Sequence, residues 1–401
     1  MTKVLQTQVC VAGGGPAGLV HALLLARAGI NVVVLEKHND FLRDFRGDTV
    51  HPTTLRIMDE LGFIDEFLQL PHTKVDRVCF DADGTIRTFG NFAALQRLGF
   101  AEPYIALMPQ WDFLDFLAEK ASAYPEFTLI RNAEVTGLVY DGDRVAGVQT
   151  PELQVRADLV VAADGRKSAV RAAAGMQVAA SSSPMDVLWF RVSWRPGDLT
   201  EPFGILRKGM ILAMIYRSTY WQIAYLMPKG ANPQAGSLEV FKEKLAGACP
   251  ELRGHMADLT SWDDFSMLDV RVDRLKSWWR PGLLCIGDAA HAMSPVGGVG
   301  INLAVADAVA AANILWQPLR EGRLRDADLR AAQRRRQLPT RVVQAVQVAA
   351  QNLAIKPFLD GDLSPVRVPS FIGKGPLQYL PPIAVGRGLR PEHVRSPDVH
   401  H

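Results

Sequence analysis

Three short blocks carry the residues of this 401-residue chain whose types and spacing could do chemistry. In the first, Gly13, Gly14, Gly15, Pro16, Ala17 and Gly18 form a GxGxxG pattern between an apolar run and a stretch of helical composition. Gly13 permits a tight turn, Gly15 lets backbone N–H groups approach a pyrophosphate, and Gly18 lets helix and strand pack closely while the helix dipole favours the anion. Glu36 stands 21 residues after Gly15, at the end of the next β-branched run, where a carboxylate can accept hydrogen bonds from a ribose diol. It would repel a 2′-phosphate, so this pairing suits FAD or NAD better than NADP.

The second block, residues 287–302, follows an apolar strand and opens a helix with far more glycine than a strand, a turn and a helix require. Asp288 could bond a ribityl hydroxyl, and the glycines up to Gly300 let a helix N-terminus approach a ring that becomes anionic on reduction. The third, Asp164-Gly165-Arg166-x-Ser168-x-x-Arg171, also follows a strand. Standing alone, it would read as an ordinary turn before a helix.

These blocks need elements to hold them. Residues 4–11 and 31–35 read as buried parallel strands around a helix at 19–28, a βαβ unit. Residues 159–163 and 283–286 read as further core strands, and 302–315 as a long Ala-rich helix. Helices are expected at 52–61, stopped by Gly62, and at 111–123. A different texture appears at 76–91, a hairpin around Asp83-Gly84, and at 187–227, whose alternating and aromatic-rich runs predict antiparallel strands. The expected organisation is a discontinuous cofactor domain at 1–75, 100–184 and 275–345, interrupted by a substrate-binding sheet at 76–99 and 185–274. Residues 346–401 follow as a C-terminal helix and a surface-wrapping tail.

Composition narrows the function classes. Lys plus Arg is 44 and Asp plus Glu is 42, so no net field gathers nucleic acid or an anionic membrane. The 14-residue apolar run at 303–316 contains Asp307 and Asn313 and is shorter than the ~20 residues that span a bilayer. Cys10, Cys79, Cys249 and Cys285 are scattered, without CxxC or metal-ligand spacing, which predicts neither a disulfide framework nor a metal site. With no signal-like N-terminus, a cytoplasmic protein is expected.

In this order the three blocks resemble the para-hydroxybenzoate hydroxylase family, the single-component FAD-dependent aromatic hydroxylases, from about Val4 to Leu315. The resemblance implies an α/β fold: a Rossmann-like FAD domain of glutathione-reductase type with an inserted mixed or antiparallel substrate sheet. It assigns Gly13, Gly15, Pro16, Ala17, Gly18 and Glu36 to the ADP half of FAD, and gives Lys37 and Val135 as further cofactor-binding residues. Asp164 falls to the middle of the cleft, and Asp288, Pro295, Gly298, Gly300, Ile301 and Asn302 to the ribityl chain and flavin. Arg46 and Gln110 match positions near the pyrophosphate; a solvated loop charge and a helix N-terminal cap are their plainer readings.

The implied reaction is hydroxylation of a small aromatic or polycyclic compound by O₂ through a flavin C4a-hydroperoxide. Tightly but non-covalently bound FAD and transiently bound NAD(P)H serve it, in a monomer or homodimer with no nucleic acid or membrane partner. A reductase or dehydrogenase on the same fold, or a non-catalytic flavin-holding protein, is the alternative. No Trp-x-Trp-x-Ile-Pro segment favours halogenation, and about 85 residues after the flavin helix leave no room for a thioredoxin-like third domain. The pocket candidates are His51, Tyr216, Arg217, Tyr225 and Pro295, and no base is assigned. Period-2 alternation sends about half of Tyr216, Arg217, Tyr220, Trp221 and Tyr225 away from any pocket. Arg334-Arg335-Arg336 reads as a solvated helix face, and His291 as a support for its turn.

Overall fold

The computed structural model describes residues 3–42, 49–82, 85–181, 183–198, 203–207, 209–360 and 380–400. An eight-stranded sheet has Trp279–Arg280, Leu283–Cys285, Leu153–Ala162, Lys3–Ala12, Val32–Leu35 and Phe127–Ile130 side by side. The central pairs are parallel. Their inner residues are buried on both faces, as continuous apolar runs such as Val9 to Ala12 and Val32 to Leu35 require. Helices Pro16–Arg27, Gln110–Ser122 and Gly300–Arg320 pack on this sheet.

The last of these is longer than expected, because Gln317, Pro318 and Leu319 continue the turns beyond the apolar run. Counted from Val296, it is long and apolar enough to cross a membrane, but 72% of its most apolar window is buried inside the protein, which marks a core helix.

A second, seven-stranded sheet runs Ser266–Leu268, Met185–Ser193, Tyr220–Pro228, Met210–Tyr216, Phe203–Arg207, Arg77–Ala82 and Thr85–Asn91. All its pairs are antiparallel except Phe203–Arg207 with Arg77–Ala82. The expected hairpin forms from the last two strands, although its turn residues Asp83 and Gly84 lie outside the described residues. Helix Leu238–Ala248 and the 3₁₀ segment Pro250–Asp258 cover one face of this sheet. A small sheet of Thr49–Val50, Ile105–Leu107 and Thr73–Val75 lies toward its other face, where Ile105, Leu107 and Ile215 share one apolar cluster. Helix Asp326–Ala350 follows. The end of the chain, residues 393–398, is tied to Glu60, Asn313, Arg27 and Tyr124.

Candidate active site

Leu283–Cys285, Leu153–Ala162 and Lys3–Ala12 are adjacent parallel strands, so the three blocks that follow them meet at their carboxyl ends, where open α/β sheets bind ligands. Two hydrogen bonds keep those ends level: Ala163 N donates to Ala12 O at 2.8 Å and Ile286 N to Ala162 O at 3.0 Å.

The glycines divide into two kinds. Gly13 has φ +102°, and a Cβ there would lie 2.5 Å from Ala163 O; one on Gly287 would lie 3.0 Å from Ala17 Cβ and 3.3 Å from Ala304 Cβ. These positions let two helices and the sheet come together. Around Gly15, Gly165 and Gly300, by contrast, a Cβ would meet nothing within 4 Å among the described residues, so backbone faces open space there. Helices Pro16–Arg27 and Gly300–Arg320 both start without a side-chain cap, leaving their first N–H groups for an anion.

Glu36 is buried directly beyond its strand. Its Oε2 accepts from Gly14 N at 2.9 Å and its Oε1 from His38 N at 3.1 Å. Ala133 N donates to Glu36 O and Asn132 N to His38 O, which brings the segment leading to buried Val135 beside Glu36, while Lys37 is exposed.

Across the seam, Asp164 Oδ2 accepts from Val170 N at 3.1 Å, whereas its buried Oδ1 has no partner among the described residues; burial pushes this carboxyl above its usual range. Asp288 Oδ2 accepts from Arg166 Nε at 2.9 Å, a contact that joins the second and third blocks. Gln110 is the first helical residue, and the N-cap position itself is Pro109, which gives no side-chain cap. Arg46 lies outside the described residues.

Asn302 clasps the flavin-loop candidates to the small sheet. Its Oδ1 accepts from His51 N at 2.8 Å and Thr54 Oγ1 at 2.7 Å, and its Nδ2 donates to Thr49 O and Gly298 O. Thr49 Oγ1 donates to Gly298 O at 2.5 Å. Gly298 has φ +60° and lies against Thr49, so no side chain fits there. Ile301 is buried beside Asn302, whereas Pro295 is partly exposed at the start of the turn that contains Gly298. The His51 ring is wholly buried, and burial pulls its pKa down to about 4 against the carbonyls of Val385, Gly298 and Gly297. It is therefore a neutral imidazole near pH 7.

The substrate sheet answers which of its residues share a face. Tyr225 and Trp221 pack with Phe241 and Met214 in the layer under helix Leu238–Ala248, and Tyr216 joins that layer beside Trp194. Alternation puts Arg217, Tyr220 and Gln222 on the other face, where Arg217 Nε donates to Gln222 Oε1 at 3.2 Å. On the same face, register aligns Trp189, Ala224, Ala213, Gly204 and Phe80 in one row across five strands. The Phe80 ring covers Gly204, and Ala224 and Ala213 cluster with Trp189, so three small residues form an apolar floor between two aromatic side chains, covered at its Gly204 end.

Sequence reasoning missed the support behind the second block. Asp307, wholly buried, accepts from Gly287 N at 3.2 Å and Arg336 Nε at 3.0 Å, and lies 2.5 Å from His291 Nε2. Burial alone would raise its carboxyl; His291 and Arg336 outweigh that and hold it below the usual range. The expectation of a solvated arginine triplet is corrected here. Arg334 is exposed, but Arg336 is 3% exposed and pairs with Asp307 and Glu392, and Arg335 pairs with Glu392. The available signal was the three- and four-residue spacing of polar residues along that helix.

An open backbone cradle at two uncapped helix starts, a carboxylate at the end of the second strand and an unpartnered buried oxygen on Asp164 together fit an extended dinucleotide, and FAD in particular. This defines the class: a flavoprotein of glutathione-reductase type with an inserted sheet. Residues 6–346 match the FAD binding domain family. The chain is 36% identical over 362 residues to 6-methylpretetramide 4-monooxygenase of Streptomyces rimosus, covering 87% of this chain and 84% of that one. It is 29% identical to rifampicin monooxygenase of Streptomyces venezuelae, spanning 77% of this chain but 63% of that longer protein. The fold superposes on p-nitrophenol 4-monooxygenase PnpA of Pseudomonas putida DLL-E4 with a TM-score of 0.74, at 21% identity over 97% of this chain and 100% of that one.

The chain belongs to the FAD binding domain family, in its para-hydroxybenzoate hydroxylase-like branch, and it is an FAD-dependent monooxygenase.

Proposed function

We propose that this enzyme hydroxylates a flat, fused-ring phenolic compound, consuming NAD(P)H and O₂. The observation that carries this reading is the floor of Ala224, Ala213 and Gly204 between Trp189 and Phe80, an apolar row of small residues with an aromatic side chain at each end. Its likeness to the 6-methylpretetramide enzyme points the same way.

In this reading Gly13, Gly15 and Gly18 with Glu36 hold the ADP half of FAD, and Asp288 the ribityl chain. Pro295 and residues 297–302 border the flavin. When bound, FAD passes the electron pair of NAD(P)H to O₂, so that one oxygen atom enters the ring and the other leaves as water. The chain's own residues do the rest. The start of helix Gly300–Arg320 presents N–H groups to negative charge. The Asn302 clasp fixes the loop beside buried, neutral His51. The apolar floor excludes water that would waste reducing equivalents. Arg217, held by Gln222, offers a cation to a phenolate or enolate oxygen. We further place the enzyme in the cytoplasm as a monomer or homodimer.

The test is NADH and NADPH oxidation with matched single-ring and fused-ring phenols while O₂ uptake is recorded. Stimulation by fused rings with stoichiometric O₂ consumption supports the reading. Stimulation by single rings alone would overturn the substrate class, and oxidation of NAD(P)H without O₂ loss would overturn hydroxylation.

A further inference from the structure

Helix Asp326–Ala350 and its continuation through residue 355 are built inside out. Gln333, Arg336, Thr340, Gln344, Gln347 and Gln351 recur at three- and four-residue steps and are all buried, whereas Leu338, Val342, Val346 and Leu353 are exposed. A surface helix ordinarily buries its apolar stripe, and burying amides is costly unless their hydrogen bonds are made. Here most are made, and Gln344, Gln347 and Gln351 all reach residues 292–296. Gln344 Nε2 donates to Asp273 O at 2.7 Å and Ala292 O at 3.0 Å. Gln347 Nε2 donates to Ser294 O at 2.9 Å and Val296 O at 2.7 Å. Gln351 Nε2 donates to Ser294 Oγ at 2.5 Å, and that oxygen also accepts from Val296 N at 3.2 Å.

The carbonyls of Ala292, Ser294 and Val296 are the ones that flank Pro295, and Pro295 itself has no N–H with which to anchor the segment. Among the described residues, residues 291–295 belong to no helix or strand, so side chains from another element must fix their height. Gln333, one end of the same stripe, serves a different place: it donates to Lys276 O at 3.2 Å and accepts from Trp278 N at 3.1 Å.

We infer that Gln344, Gln347 and Gln351 are positioning residues: through the carbonyls of Ala292, Ser294 and Val296 and the Ser294 hydroxyl they set how closely Pro295 approaches the flavin, and so tune its environment and reduction potential. This rests on the placement of Pro295 beside the flavin proposed above. Two polar contacts from one side chain fix both a distance and an angle, which an apolar contact of equal volume does not.

The experiment compares Gln347→Met, which keeps volume and removes both donors, with Gln333→Met on the same helix. FAD dissociation constant, visible absorption spectrum, midpoint potential and thermal midpoint are measured for each. Both variants are expected to lose thermal stability. Gln347→Met alone should release FAD about tenfold more readily and shift the spectrum and potential. Gln351→Met, which loses one donor, should shift them less and provides a readout if Gln347→Met fails to fold. Wild-type flavin properties in both loop-side variants, or equal flavin shifts in Gln333→Met, would overturn the inference. Pro295→Ala separates the causes: if it alters the spectrum while Gln347→Met does not, the positioning role fails; if it too is silent, the placement of the flavin fails with it.

Discussion

Gly18 lies so close to Gly13 that a methyl group on the former would overlap the carbonyl oxygen of the latter. Three positions earlier, Gly15 sits at φ −78° with open space among the described residues where its side chain would be. The same motif therefore contains a packing glycine and a ligand glycine. Gly18→Ala should destabilise the protein whether or not FAD is present, because backbone must move. Gly15→Ala should leave the apoprotein's unfolding free energy within about 0.5 kcal/mol of wild type while FAD affinity falls at least tenfold. Equal losses of apoprotein stability in the two variants, measured by urea unfolding, would contradict this division.

Asp288 and Arg166 join two of the three blocks across the seam, with both side chains about a third exposed. A pair so open to water adds little to stability, roughly 0–1 kcal/mol. As a partner for a bound hydroxyl the carboxylate should matter more, about 1.5–3 kcal/mol. Asp288→Ala is thus expected to melt within a few degrees of wild type yet bind FAD some ten to a hundred times more weakly, as read by flavin fluorescence on dilution. A fully flavinylated variant would remove Asp288 from the site.

How much of this was legible depends on how local each requirement is. The turn glycines could be read because each answers a backbone demand within a few residues: Gly13 and Gly18 meet each other, and Glu36 meets Gly14. The face chosen by the substrate sheet could not. Alternation separates Tyr225 from Gln222, but only helix Leu238–Ala248, which comes later in the chain, decides that the Tyr225 face is covered. Arg336 was misread for the same reason. Its partners lie 29 residues before and 56 residues after it in sequence, so a triplet of arginines on a polar helix carried no local sign that one of them is buried.

The sheet faces give a direct comparison. Tyr225 packs against Phe241 under the covering helix, so Tyr225→Phe should leave kcat and KM within about twofold, its loss being one long contact with Lys244 Nζ at 3.4 Å. Ala213→Leu puts a branched side chain in the middle of the floor. It should raise KM for fused-ring substrates tenfold or more while sparing single-ring compounds, since a pocket distinguishes added bulk chiefly by overlap. A loss of turnover in Tyr225→Phe together with unchanged kinetics in Ala213→Leu would reverse the two faces.

His21 and His51 make stability depend on pH in a window set by their burial. Burial lowers each from the ordinary value of 6.5 to about 4, so between those values the unfolded chain binds more protons than the folded one. Stability must then rise with pH through this range, be complete above about 6.5 and be lost progressively down to 4. The size of the shifts implies on the order of 2 kcal/mol per histidine between pH 7.5 and pH 5. Asp164 acts in the opposite sense, because burial raises its carboxyl and favours the protonated folded form, but its contribution lies nearer the ordinary carboxylate range. Asp307 is held down and loses its contribution only at more acidic pH. Urea unfolding of the apoprotein at pH 7.5 and 5 should therefore show a marked drop, and His51→Gln should remove about half of the histidine part. Equal unfolding free energies at the two pH values would mean that both rings accept protons in the folded state, which their complete burial is expected to prevent.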